Sequence, residues 1–291
     1  MSTPNRKRPS GPPASAGVLA KYTQAYARSS GVAEGRVHGW VAHMALAGAL
    51  ERSVQVAKDN GLNGYLFTIK GGVALELRLR ERARATKDID LVLHDSVAEL
   101  AVALERAIAS GYQGFQFQRR REPVVLDNGT VRVQLAATYR GGTWTMVSVD
   151  IARAEPGEAE VELLDAVALE STLGITGPDR VPCLSLRYHV AQKLHGMTLP
   201  PQPGKRNERF KDLIDLMLME ALISDCTGLR EACERVFESR ATHAWPPLLT
   251  LPEHWRQGYT KLAIDLELPV TDAAEAMERV RALVARIQAV F

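Results

Sequence analysis

The stretch Ile69-Lys70-Gly71-Gly72, followed sixteen positions later by Asp88-Ile89-Asp90-Leu91, decides how this chain is read, because it couples a glycine turn to a carboxylate pair. Asp88 and Asp90 sit in the apolar run Asp88-Ile-Asp-Leu-Val-Leu93. Strand side chains alternate with a period of two, so both carboxylates leave one face, where they make a ligand pair for a divalent metal. Upstream, Tyr65-Leu-Phe-Thr-Ile69 reads as a buried strand running into Gly71-Gly72, and Ala74-Leu-Glu-Leu-Arg78 has helical composition. A strand, a glycine turn and a helix start present unpaired backbone N–H groups to an anion. A Gly-Gly pair alone is an ordinary turn, and an Asp-x-Asp alone is an exposed strand face or a turn. In combination, and inside an apolar strand, the carboxylates face a desolvation cost that a cation or hydrogen bonds must offset.

Working outward, residues 18–60 are helical in character, with Val37, Trp40, Val41, Met44 and Ala47 forming a core-facing stripe. A strand at 65–70, a short helix at 73–80, the Asp strand at 88–93 and a helix at 96–110 alternate as in an α/β protein. Three β-like segments follow, at 114–126, 131–139 and 143–152, separated by the turn sequences Asp127-Asn128-Gly129 and Gly141-Gly142. The last holds Val147-Ser-Val-Asp-Ile151, and Asp150 is the natural third acid if this strand neighbours the Asp88/Asp90 strand. The plainer reading of Asp150 is a strand-end side chain bonded to a turn. Beyond about residue 158 the character is helical to Phe291. The expected organisation is a disordered tail at 1–17, an α/β core with N-terminal helices at 18–157, and a helical C-terminal domain at 158–291.

The 291 residues are 46% hydrophobic and 24% charged, ordinary for a soluble globular protein, and no apolar run approaches the roughly eighteen residues of a membrane span. A net charge of +2 implies no general polyanion-binding surface. The distribution is more informative: Arg78, Arg80, Arg82, Arg84 and Lys87 stand against Glu81 alone, and Arg119-Arg120-Arg121 and Lys205-Arg206 add two patches suited to phosphates. Each patch alone also reads as a solvated face. Cys183, Cys226 and Cys233 show no C-x-x-C spacing and cannot all pair, which points to a reducing cytoplasm. The N-terminus lacks the apolar core of a signal peptide, and His189, His195 and His243 form no zinc spacing with the cysteines.

In the helical half, Ala191-Gln-Lys-Leu-His195 places Lys193 amid apolar residues. In Arg209-Phe-Lys-Asp-Leu-Ile-Asp-Leu216, Lys211 and Asp212 share a helix face with Asp215. A solvated salt bridge is the plain reading, but Leu213, Ile214 and Leu216 surround Asp215 and favour a specific partner.

Lys70-Gly71-Gly72, Thr86-Lys87-Asp88-Ile89-Asp90, Gln192-Lys193-Leu194-His195 and Arg209-Phe-Lys-Asp212-Leu-Ile-Asp215-Leu together resemble the AbiEii/AbiGii nucleotidyltransferase-like toxins, especially the mycobacterial MenT-type enzymes. The resemblance covers roughly residues 35–290. It implies a polymerase-β-like nucleotidyltransferase core with a mixed sheet, followed by the helical domain. It also implies the toxin of a type IV, AbiE-like toxin–antitoxin pair with a cognate antitoxin, which transfers nucleotides from an NTP to the tRNA 3′ end and so blocks aminoacylation and translation.

Carried over, Asp88, Asp90, Lys193 and Asp215 are the catalytic set. Asp88, Asp90 and Asp150 are the Mg²⁺ ligands, and Lys70, Gly71, Gly72, Lys87, Lys193 and Lys211 bind nucleotide. Arg78, Arg80, Arg82, Arg84 and Arg119 to Arg121 are the RNA-backbone candidates. Val73 departs from the pattern, since Ser or Thr often follows the glycines. Thr86 lies two residues before Asp88, and a phosphoryl group there would set about −1.5 to −2 charge beside the acids and silence the enzyme. Two other classes share these features: an antibiotic-type nucleotidyltransferase, which needs an acidic pocket where this chain has basic flanks, and a non-catalytic binding module, which has no need of the full set of acids and lysine.

Overall fold

A computed structural model describes residues 11–59, 65–94, 99–155, 160–167, 173–201 and 204–290. The chain divides into two compact units. The first comprises 1–80, 85–153 and 163–183, and the second comprises 81–84, 154–162 and 184–291.

The first unit is built on a mixed sheet. Its strands are β1 (Phe67–Lys70), β2 (Asp88–Leu93), β3 (Phe115–Arg119), β4 (Val124–Val125), β5 (Val131–Tyr139), β6 (Gly142–Arg153), β7 (Val161–Asp165) and β8 (Arg180–Leu184). They run in the order β3-β5-β6-β2-β1-β8-β7, with β4 paired on β5. β2 lies parallel to β6 and antiparallel to β1, while β8 is parallel to β1. Helices α1 (Ala16–Ser30), α2 (Glu34–Asp59), α3 (Gly71–Leu79) and α4 (Leu100–Ile108) belong to the same unit.

Alternation along the strands sorts the two faces of the sheet. Ile89, Leu91, Val133, Leu135, Val149 and Ile151 join a core with Val41, Leu46 and Leu50 of α2 and Leu104 of α4. The intervening positions Asp88, Asp90, Arg132, Gln134, Ser148 and Asp150 therefore leave by the opposite face.

The second unit is a cluster of helices: α5 (Leu186–Met197), α6 (Phe210–Glu220), α7 (Leu229–Arg240), α8 (Trp255–Asp265) and α9 (Ala273–Gln288). α5 packs on α6 and α7, and α9 packs on α6 and α8. Their apolar stripes, including Leu213, Ile214, Leu216, Val236, Phe237, Trp255, Tyr259, Val280 and Ile287, are buried.

Three sequence expectations are altered. The region beyond 158 is not helical throughout, because β7 and β8 lie within it. Pro182, which cannot donate to a ladder, masked β8 as a strand in the sequence. Of the tail expected at 1–17, residues 1–10 lie outside the described residues. Residues 11–17 are engaged, since Ser15 caps α1 and the buried Tyr139 hydroxyl donates to the Pro13 carbonyl at 2.8 Å. Finally, the helix expected from residue 73 begins at Gly71, so both glycines lie in its first turn.

Candidate active site

β1 ends at Lys70, and Gly71 opens α3 with φ +63°, a left-handed value that glycine adopts without the penalty a side chain carries. A Cβ on Gly71 would meet Asp90 Oδ2 at 1.9 Å, so the carboxylate lies directly against the bare backbone of the turn. Gly72 is as tightly constrained, because a Cβ there would meet the Thr86 side chain at 2.7 Å. Lys70 at the N-cap provides no side-chain capping bond, leaving the first-turn N–H groups of α3 without that partner. Val73 is buried in the sheet-facing core, so this position points away from the turn and the departure from Ser or Thr removes no exposed hydroxyl.

Register aligns charged residues in one row across four strands. Arg132 of β5 pairs with Asp150 of β6, Asp150 with Asp90 of β2, and Asp90 with Lys70 of β1. The adjacent row pairs Asp88 with Ser148 and Ser148 with Gln134, whose amide donates to the serine hydroxyl at 3.0 Å. Arg132 was not anticipated as a site residue. Its Nε and Nη2 both donate to the Asp150 carboxylate, each at 2.7 Å. The Asp150 hydrogen bonds and charge, and more weakly Asp88 and Asp90, raise the guanidinium's already high pKa. Alternation in Val131-Arg-Val-Gln-Leu135 placed Arg132 on the polar face. Its partner depends on register, which the sequence does not state.

Asp88 is exposed and Asp90 and Asp150 are partly buried. Among the described residues, no three His, Cys, Asp or Glu side chains gather closely enough to enclose a metal by themselves. The donor set at β2 is thus a pair of hard carboxylate oxygens on one face, with Asp90 in a cradle that any Cβ would fill, and this fits a divalent cation sharing its coordination with phosphate and water. β2 starts at Asp88, so Thr86 precedes the strand, and its hydroxyl donates to the Asp88 carbonyl at 3.1 Å.

Behind this segment lie two buried ionisable groups. Burial raises Glu76 of α3 to about 7 against the pull of Arg36, which donates to it at 3.1 Å. Burial also lowers His43 of α2 to about 4, partly offset by a hydrogen bond with the backbone of Lys87.

In the second unit, Lys193 of α5 is buried, and its ammonium lies 2.7 Å from Asp212 Oδ1 and 2.8 Å from Asp215 Oδ2. Arg84 clamps the other side of Asp215, with Nε to Oδ1 at 2.8 Å and Nη2 to Oδ2 at 3.0 Å. Arg209 donates to Asp212 at 2.5 Å. Burial opposes the charge on Lys193, but Asp212 and Asp215 outweigh it and hold the ammonium above its usual pKa. Burial likewise opposes ionisation of Asp215, yet Lys193 and Arg84 hold it below the usual carboxylate range. Lys211, expected to share a face with Asp215, is exposed in the first turn of α6 and takes no part in this network.

Of the RNA candidates, Arg80, Arg82, Arg120 and Arg121 are exposed, as is Lys87. Arg84 is committed to Asp215, Arg119 pairs with Glu105 and Glu122, Arg78 is partly buried, and Arg80 donates to the Asp165 carbonyl at 2.9 Å.

A mixed sheet that delivers a Gly-Gly turn against a strand carboxylate, with a second carboxylate two residues away, suits a nucleotidyltransferase, and the family match shows that class. The chain belongs to the AbiEii nucleotidyltransferase toxin family of type IV toxin–antitoxin systems, whose family model matches residues 58–286. Membership brings an NTP substrate and an antitoxin partner. Among solved structures, MenT4, a nucleotidyltransferase toxin from Mycobacterium tuberculosis H37Rv, shares the fold with TM-score 0.62 and 19% identity, over 95% of this chain and 90% of that one. An antigenic nucleotidyltransferase-like protein from Paracoccidioides brasiliensis aligns with TM-score 0.38 and 17% identity, over 79% of this chain and 95% of that one. A nucleotidyltransferase from H. pylori aligns with TM-score 0.36 and 16% identity, over 77% and 85%. No curated protein matches the chain. Among the described residues, no helix is long and apolar enough to cross a membrane.

Proposed function

We propose that this toxin transfers nucleotides from an NTP to the 3′-hydroxyl of tRNA, in the cytoplasm, with Mg²⁺, and thereby blocks aminoacylation and translation. The approach of the Asp90 carboxylate to the bare backbone of Gly71 carries the reading, since it brings phosphate-binding N–H groups and a metal ligand to one place. Asp88 and Asp90 are the residues that would hold Mg²⁺. Bound there, the ion would neutralise charge on the triphosphate and lower the pKa of the attacking hydroxyl.

The chain's own residues supply the rest. The first-turn N–H groups of α3 receive phosphate oxygens, and the absence of a Cβ at Gly71 and Gly72 permits the close approach. Lys193, whose ammonium Asp212 and Asp215 hold by two of its three N–H donors, is the lysine assigned here to the nucleotide. Asp215, fixed by Arg84, positions that ammonium. Arg80, Arg82, Arg120 and Arg121 are exposed, which supports a role on the RNA backbone. Phosphorylation of Thr86 would replace its hydroxyl donor with about −1.5 to −2 charge and switch the site off. A Thr86→Glu variant with undiminished activity would overturn that control.

Incubation with each labelled NTP and total tRNA, with and without Mg²⁺, tests the proposal. Label is expected to enter tRNA only with Mg²⁺ and to be lost in Asp88→Ala. Incorporation by Asp88→Ala would reject the metal assignment, and transfer to an aminated small molecule in place of tRNA would favour the antibiotic-type activity.

A further inference from the structure

We infer that Arg132 is a fixed cation of this active site, which holds Asp150 out of metal coordination and supplies the positive charge that a second metal ion would otherwise bring. The inference rests on the Proposed function for the ion at Asp88 and Asp90.

Three observations carry it. Both Asp150 oxygens accept from Arg132 in a bidentate pair at 2.7 Å, the strong form of a carboxylate hydrogen bond, and the Asp150 side chain is only 13% exposed. Register sets this pair beside Asp90, so the row reads cation, anion, anion, cation from Arg132 to Lys70. Arg132 and Asp90 both flank Asp150, on strands about 4.8 Å apart, so the guanidinium lies roughly 10 Å from Asp90 across the sheet and acts on it through Asp150.

Charge balance agrees. Three carboxylates, Asp88, Asp90 and Asp150, face two cations, Arg132 and Lys70, leaving one net negative charge, which a single divalent ion more than compensates. Two-metal phosphoryl-transfer sites clamp the attacking and leaving oxygens between two ions. Here a planar guanidinium, always charged and able to present donors beyond the two used on Asp150, is bonded to the third acid that a second ion would need.

The test is Mn²⁺ stoichiometry on the full-length chain, read by electron paramagnetic resonance with equilibrium dialysis. The wild type is expected to bind one ion per chain and Asp88→Ala none. Arg132→Ala, which releases Asp150, is expected to bind two, and the Arg132→Ala/Asp150→Asn double variant to return to one. Arg132→Gln substitutes wherever the alanine variant does not fold. Two ions in the wild type, or no gain in both Arg132 variants, overturns the inference. No ion in the wild type also overturns it, and NTP incorporation into tRNA by the same preparation then decides separately whether the nucleotidyl-transfer reading stands.

Discussion

Five aspartates in this protein divide into two environments. In the first unit, Asp88 and Asp90 sit on the polar face of a sheet, exposed and partly buried respectively, with Asp150 clamped by Arg132 alongside. In the second unit, Asp212 and Asp215 are buried among apolar helix residues and are bonded to Lys193, Arg84 and Arg209. The same side chain does different work in each. A carboxylate that keeps access to solvent can exchange water for a metal or phosphate partner. A carboxylate fully enclosed must be compensated by the protein itself, and its partners thereby become rigid.

The strongest way to break this contrast is a pair of substitutions. Asp88→Ala should abolish NTP incorporation and leave the urea unfolding midpoint close to that of the wild type. Asp215→Ala should cost about 3–5 kcal/mol of stability, because Lys193 and Arg84 would then bury charge without their shared partner. Equal destabilisation by the two would remove the distinction. Lys193→Met should also fall within roughly 3–5 kcal/mol, measured by the same urea titration, for it removes the cation that two buried carboxylates share and leaves Asp215 to Arg84 and Asp212 to Arg209.

A sharper form of the comparison comes from buried titratable groups in the first unit. Glu76 has a folded pKa near 7, raised by burial, so the stability it contributes is present below its ordinary value of 4.5 and is lost as pH rises through 7. His43 has a folded pKa near 4, lowered by burial, so its contribution is present above 6.5 and is lost as pH falls through 4. The two slopes oppose each other between pH 4.5 and 6.5. Glu76→Gln should leave stability rising with pH across this window, and His43→Asn should leave it falling, each on the order of 2–3 kcal/mol. Chemical denaturation at several pH values checks both signs, and a parallel response of the two variants would refute the opposition.

Gly71→Ala should cost about 1 kcal/mol for its left-handed φ, while the displaced Asp90 carboxylate lowers incorporation by roughly a hundredfold or more. The smallest effect belongs to the exposed arginines. Arg120→Ala should leave stability within about 0.5 kcal/mol and raise the KM for tRNA modestly, with a reduced salt dependence.

Much of the first unit was legible because its signals are local. The period-two alternation in Asp88-Ile-Asp-Leu-Val-Leu93 placed both acids on one face, and Gly71-Gly72 marked the turn that receives Asp90. The hairpin sequences at 127–129 and 141–142 separated β4, β5 and β6 where they were expected. Arg132 was not legible as a site residue, because only the pairing of β5 with β6 sets it opposite Asp150. β7 and β8 were missed for a related reason. Neither alternates cleanly, and β8 joins the sheet through a parallel partner more than a hundred residues earlier, Ile69 opposite Cys183.

In the second unit, helical spacing offered Lys211 only as the plain partner of Asp215, while the apolar neighbours pointed to a more specific one. The partners are Lys193 from α5 and Arg84, from a segment 131 residues away whose sequence groups it with an RNA-facing basic run.

By itself, then, the sequence determined the family and named the candidate residues for its chemistry, since alternation, glycine turns and motif order are written along the chain. Only the tertiary structure decided which charges neutralise which. Ion pairs between Arg132 and Asp150, or among Lys193, Arg84 and Asp215, depend on strand register and helix packing, and a burial that turns an open carboxylate into a compensated one is a property of the folded neighbourhood.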